Sequence, residues 1–223
     1  MLSDGLDGLG TVREVTGRVS HARARWKTGR VSDDDAAAAA DRVRATLPVR
    51  AGRLLLRAVG TSDVAAVHAY RRHPEVAAYL GHPPLDLPGA AALVSGWLTE
   101  ARVVAGGVEV EGRFVGDVRL TVRPCSAVAP ARTREVEGWL GYAVHPEVQG
   151  RGLATEAVRA MVGLAMGPGR LRRITTRVFA PAVASSRLLA RLGFTHEGTE
   201  RAAVLAPDGT WWDDEAWSLL REE

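Results

Sequence analysis

Cysteine, lysine and long apolar runs are what this 223-residue chain has least of. Cys125 is the only cysteine, which excludes an internal disulfide, and no Cys/His cluster has zinc spacing, so no metal is expected. No apolar run approaches the roughly 18 residues that a membrane-spanning helix needs. The opening Met1-Leu2-Ser3-Asp4-Gly5 lacks a charged stretch leading into an apolar one, so a cytoplasmic chain without membrane contact is expected. Lys27 is the single lysine among 29 basic residues; with abundant Ala and Val, this reads as coding background rather than selection for nucleic acid. Of the net charge of +3, residues 18–30 contribute +5 and the remainder −2. A body with that balance has no broad phosphate-binding face, and a nucleic-acid partner is not expected. The Walker loop and the dinucleotide Gly-x-Gly-x-x-Gly loop are missing as well.

What is present is one informative stretch, from Val144 to Ala157. An apolar strand enters a turn at His145-Pro146-Glu147, then a glycine-bearing loop, Gln149-Gly150-Arg151-Gly152-Leu153-Ala154, opens onto an amphipathic helix. Ala154, Ala157, Val158, Met161, Val162 and Ala165 repeat at the spacing of one buried helix face. The first-turn amides of a helix have no internal partner and carry the positive end of its dipole. Glycines before that turn let a ligand reach the backbone, so strand, loop and helix together suit a phosphate or pyrophosphate.

Residues 1–50 differ from the rest. The first thirty mix Gly, Ser, Thr and Arg without periodicity, and a loose segment is expected. Ser32 then caps a helix over about 33–47 whose first turn holds Asp33, Asp34 and Asp35 and which Pro48 stops. Its narrow stripe of Ala36, Ala40, Val43 and Leu47 calls for a partner surface, on the domain or in a homodimer. From residue 51 to 223 one domain is expected. Strands are read at 54–59, 103–111, 114–122, 136–144 and 171–179, with two more flanking Pro207-Asp208-Gly209. Helices are read at 61–72, 75–80, 88–100, from the glycine loop to 166, and at 183–192, with a loop at 124–134.

The loop pattern, together with Leu54-Leu55-Leu56-Arg57, His73-Pro74-Glu75-Val76, Ser185-x-Arg187-Leu188-Leu189-x-x-Leu192-Gly193-Phe194 and Glu197-Gly198, resembles the GNAT superfamily of N-acetyltransferases. The branch of ribosomal-protein N-terminal alanine acetyltransferases is nearest in character. The resemblance implies an α/β fold around a mixed, strongly twisted sheet whose parallel fourth and fifth strands splay apart. It implies acetyl-CoA as cosubstrate, with the pyrophosphate on Gln149, Gly150, Arg151, Gly152, Leu153 and Ala154, and the pantetheine arm along Ala143 and Val144. The acceptor is then a primary amine, on a peptide N-terminus or a small molecule.

Catalytic roles are less directly written. Glu135, Glu137 and Trp139 share one strand face. Trp139 stands where many relatives carry a basic-role Glu, so Glu137 is the expected base, against an ordinary exposed strand carboxylate. Relatives protonate the leaving thiolate with a Tyr four residues before the Gly-Phe pair; Leu189 stands there. Ser185 matches the Ser of the ribosomal-protein branch and is the expected acid, against a helix-cap role. Ala182 replaces a usual Asn. These departures keep open a degenerate, non-catalytic acyl-CoA-binding or sensor protein. His68, His73 and His82 read as surface or capping residues, Trp97, Trp211 and Trp212 as packing, and Asp213 and Asp214 as either solvated or facing a cationic amine.

Overall fold

The computed structural model describes residues 32–127 and 135–222; the basic stretch 18–30 and residues 128–134 lie outside them. Helix α1 spans Asp33–Arg44. Ser32 and Asp35 form a reciprocal capping box, the Asp35 amide donating to the Ser32 hydroxyl and the Ser32 amide to the Asp35 carboxylate. The helix stops three residues short of the expected 47. The Thr46 hydroxyl takes the Val43 carbonyl at 2.6 Å, and Leu47, preceding a proline, is disfavoured in helical geometry. Ala36, Ala39, Ala40 and Val43 are fully buried in the same core as Val104, Val118 and Leu140. Arg42 adds hydrogen bonds to the Pro168 and Gly169 carbonyls. The stripe is thus covered by this chain's own sheet.

The strands are β1 (Val49–Ala51), β2 (Leu54–Ala58), β3 (Val103–Val110), β4 (Arg113–Pro124), β5 (Val136–Val144), β6 (Arg173–Phe179), β7 (Thr195–Leu205) and β8 (Trp211–Leu220). They form one sheet in the order β1-β2-β3-β4-β5-β6-β8-β7. Every neighbouring pair is antiparallel except β5 and β6, which α5 (Leu153–Met166) connects as a crossover. This is the mixed α/β architecture that the resemblance implied. Strand β1 was not expected: three residues after a proline carry too little periodicity to be read.

The two faces of the sheet differ. One packs Val118, Leu120, Leu140, Ile174 and Val178 against α1, α5 and α6 (Val183–Arg191). The other lies under α2 (Val64–Arg71), α3 (Pro74–Ala77) and α4 (Leu87–Thr99), with Val67, Tyr70, Val94 and Trp97 against Ala105 and Ala143. The helix expected at 61–72 begins as a tight 3-10 turn, Thr61–Asp63. The Asp63 carboxylate is already used by the Gly60 amide and the Arg57 guanidinium. Among the described residues no helix is long and apolar enough to cross a membrane.

Candidate active site

The glycine loop sits where β5 hands over to α5. Val148 and Leu153 are buried and anchor its two ends, while Gly150, Arg151 and Gly152 are exposed between them. Gly150 and Gly152 adopt φ of 73° and 79°, the left-handed region that side-chain-bearing residues avoid. The first α5 bond runs from the Glu156 amide to the Gly152 carbonyl at 3.1 Å. The preceding amides, Gly150 to Thr155, have no partner among the described residues, as a helix start dictates. The β1–β2 turn holds this loop in place. Arg53 donates to the Arg151 carbonyl at 2.6 Å and grips Glu156 through both its guanidinium and its own amide. Those hydrogen bonds hold the Glu156 carboxyl below its usual range. The clamp joins residues 103 apart in sequence, which no local pattern reveals.

The second element is an opening in the sheet. Strands β5 and β6 pair only at Glu137 with Arg173, Gly138 with Ile174 and Trp139 with Thr175, although both strands continue. Two threonine hydroxyls brace the β5 carbonyls here, one within the last pairs and one past them. Thr175 Oγ1 donates to the Gly138 carbonyl at 3.3 Å and Thr176 Oγ1 to the Leu140 carbonyl at 2.8 Å. The Val144 carbonyl accepts from Gln149 Nε2 at 3.4 Å, while the His145 amide turns to Val115 on β4. Alternation along a strand then aims the main chain of Leu140, Tyr142 and Val144 at the gap. Ala143 faces β4 instead, beside its register partner Asp117, so Tyr142 takes the gap position read from sequence for Ala143.

Ser185 lies in the first turn of α6, whose N-cap, Ala182, offers no side-chain bond. The Tyr142 hydroxyl is buried and has no geometric hydrogen-bond partner among the described residues, and the Ser185 hydroxyl is the polar group that acts on it. Burial pushes the Tyr142 phenol up, and Ser185 offsets this only in part. The sequence reading missed Tyr142 because an aromatic residue in a strand looks like packing. Glu137 is placed elsewhere. It sits at the closed end, ion-paired to Arg123 at 2.8 Å and Arg173 at 3.7 Å, five residues or roughly 16 Å of strand from Tyr142. A carboxylate at the open end is Asp214 on β8, whose register partner is Phe179; Arg177 Nε donates to its Oδ2 at 2.8 Å, and Oδ1 is buried without a partner among the described residues. Asp213 is consumed structurally, accepting from the Ala202 amide in the β7 bulge.

On the α2–α4 face, beside the opening, lies a buried ionic cluster. Asp117 accepts from the Tyr70 hydroxyl, from Arg71 at 2.7 Å and from Arg119 at 3.0 Å. Burial pushes its carboxyl up, and the two guanidiniums outweigh that and hold it below the usual range. Trp97 lies under both arginines, 5.2 Å from Arg71 and 5.1 Å from Arg119. Arg71 also meets His82 Nε2 at 3.1 Å. An acid amid the apolar run of β4 was the one sequence signal for this cluster.

Comparison with known proteins bears on this geometry. Residues 53–195 match the acetyltransferase (GNAT) domain family. A Bacillus subtilis (strain 168) protein named as the uncharacterized N-acetyltransferase YoaA is 27% identical over 173 residues, covering 76% of this chain and 94% of its own. Mycobacterium smegmatis RimJ in complex with CoA-disulfide superposes with a TM-score of 0.63 at 24% identity, over 75% of this chain and 81% of that one. The spermidine N-acetyltransferase of Vibrio cholerae, in complex with CoA and spermine, gives 0.64 at 18%, over 76% and 96%. A loop of free amides, a sheet that opens beside it and a family match over most of the chain agree: this protein belongs to the GNAT acetyltransferase family and is an acetyl-CoA-dependent acetyltransferase.

Proposed function

We propose that the chain moves the acetyl group of acetyl-CoA to a primary amine, a peptide N-terminus or a small-molecule amine, by direct attack in a ternary complex. The carrying observation is the continuity of the opening. It runs from the free amides of 150–155, past Val144 and Tyr142, to the Tyr142–Ser185 hydroxyls. The amides of Gly150 to Ala154 are assigned to the pyrophosphate, the Gln149 amide being spent on the Pro146 carbonyl. The Val144 and Tyr142 main chain is assigned to the pantetheine arm, and the Tyr142 amide to the thioester oxygen, where negative charge develops. Two structural neighbours crystallised with CoA support that cosubstrate.

The acceptor must shed a proton, because an ammonium has no lone pair. Asp214, at the open end and with an unused buried oxygen, takes it directly or through water, in place of Glu137. The nitrogen–carbon bond forms as the carbon–sulfur bond breaks, and the sulfur leaves as a thiolate. Tyr142, kept protonated by burial, gives its proton to that sulfur and regains one from solvent through Ser185, while Asp214 returns the amine's proton to solvent. Purified protein given acetyl-CoA and panels of amines and N-terminal peptides should release free thiol only when an acceptor is present. CoA binding without thiol release from any acceptor would instead favour the sensor reading, which the ion-paired Glu137 and the uncapped Ala182 support.

The site lies within one chain, and a single copy suffices for this chemistry. A cytoplasmic location suits the cosubstrate.

A further inference from the structure

The acceptor side of the opening has two charged ends of opposite sign. At the β4 end, two guanidiniums, Arg71 and Arg119, surround one carboxylate, Asp117. At the β6 end, two carboxylates, Asp214 and Glu200, surround one guanidinium, Arg177. Between them the face is lined by Gly141 of β5, whose register partner on β4 is Arg119. A Cβ placed on Gly141 would lie 3.0 Å from Arg119 Nη2, so the guanidinium reaches over this glycine. Arg119 spends only Nε on Asp117. Among the described residues its two terminal nitrogens have no hydrogen-bond partner and are not buried, while Trp97 fixes the plane of the group from below. The remaining acids of this face are engaged: Glu137 by Arg123 and Arg173, Glu197 by Arg173 and Ser218. A planar, pre-oriented fork with two open donors matches a carboxylate.

We infer that the acceptor is a zwitterion of the amino-acid class, its carboxylate held by Arg119 over Gly141 and its amine drawn toward Asp214. The inference rests on the acetyl-transfer reading above and names the substrate class for it. A polyamine leaves the Arg119 fork unmatched and brings a second cation against it. An interior peptide bond in place of the carboxylate gives the fork only a neutral oxygen.

The test uses the full-length protein with acetyl-CoA, following free thiol. Acceptors are free amino acids, each paired with its own C-terminal amide, and spermidine. The wild type should favour acids over matched amides by roughly ten- to hundredfold in kcat/KM, the worth of a charge-assisted hydrogen bond. In Arg119→Met the acid-to-amide ratio should collapse toward one. In Arg119→Lys, which keeps a point charge without the fork, it should fall part way. CoA affinity of each variant, by calorimetry, reports whether the fold survives; if both variants fail to fold, the wild-type ratio alone decides. Equal rates on acid and amide, a preference for spermidine, or an unchanged ratio in a folded Arg119→Met would overturn the inference while leaving acetyl transfer intact. Thiol release with no amine at all would overturn both.

Discussion

Strand β5 has two halves with one sequence pattern and different fates. Val136–Trp139 is locked between β4 and β6, and Leu140–Val144 is paired to β4 alone. What differs is side-chain bulk and polarity next to the sheet. In the closed half, Gly138 lets Leu120 and Leu171 close over the strand, with a hypothetical Cβ only 2.5 and 2.8 Å from them. In the open half, the ring of Tyr142 stands on that same face, and at Leu140 the Thr176 hydroxyl stands in for the amide ladder. The closed half is thus the more tightly packed, and the open half is the one the proposed chemistry uses, though both alternate alike.

Variants on either side should separate the two halves. The largest effect is expected just beyond the open half. Gly152→Val puts a β-branched residue at φ 79° on the free-amide loop, and CoA affinity by calorimetry should fall on the order of a hundredfold. Unchanged affinity would remove the loop from the cosubstrate site. Next, Tyr142→Phe should lower kcat about a hundredfold, within the range of a lost catalytic hydroxyl. Melting temperature should hold or rise, because a buried, unpartnered hydroxyl is removed. Equal losses in stability and rate would make Tyr142 a packing residue.

In the closed half, Gly138→Val should do the reverse, costing about 2 kcal/mol through overpacking, a drop of roughly 4–8 °C in melting temperature. Glu137→Gln should be milder still, with kcat changed less than about threefold, because an exposed-end ion pair contributes up to about 1 kcal/mol. A deep loss of turnover with intact CoA binding would restore Glu137 as the base. The smallest signal is in pH. Because burial raises the Tyr142 phenol above its ordinary value near 10, the protonated form persists through mildly alkaline solution. The rate should climb as the amine deprotonates and show no descending limb below about pH 10; a fall near pH 8 would assign the acid to another group.

Legibility in the sequence followed distance along the chain. The glycine loop, the Ser32 cap of α1 and the β3–β4 hairpin are patterns within about a dozen residues, and each is found where it was read. The Arg53–Glu156 clamp and the Arg71–Asp117 pair join residues 103 and 46 apart, and neither was seen. The placing of Glu137 at the closed end was hidden for a related reason. Alternation put it on the face shared with Glu135 and Trp139, but a face says nothing of how far along the strand the sheet opens.

The longer elements, their order and the helix start after the glycine loop were set by the sequence alone, because caps, glycines and apolar periods act through neighbouring backbone groups. Only the tertiary structure decided where β5 and β6 part, that Tyr142 meets Ser185 there, and that Asp117 gathers two arginines beside the gap. Those are matters of which side chains arrive from distant strands, and long-range packing and charge pairing set them.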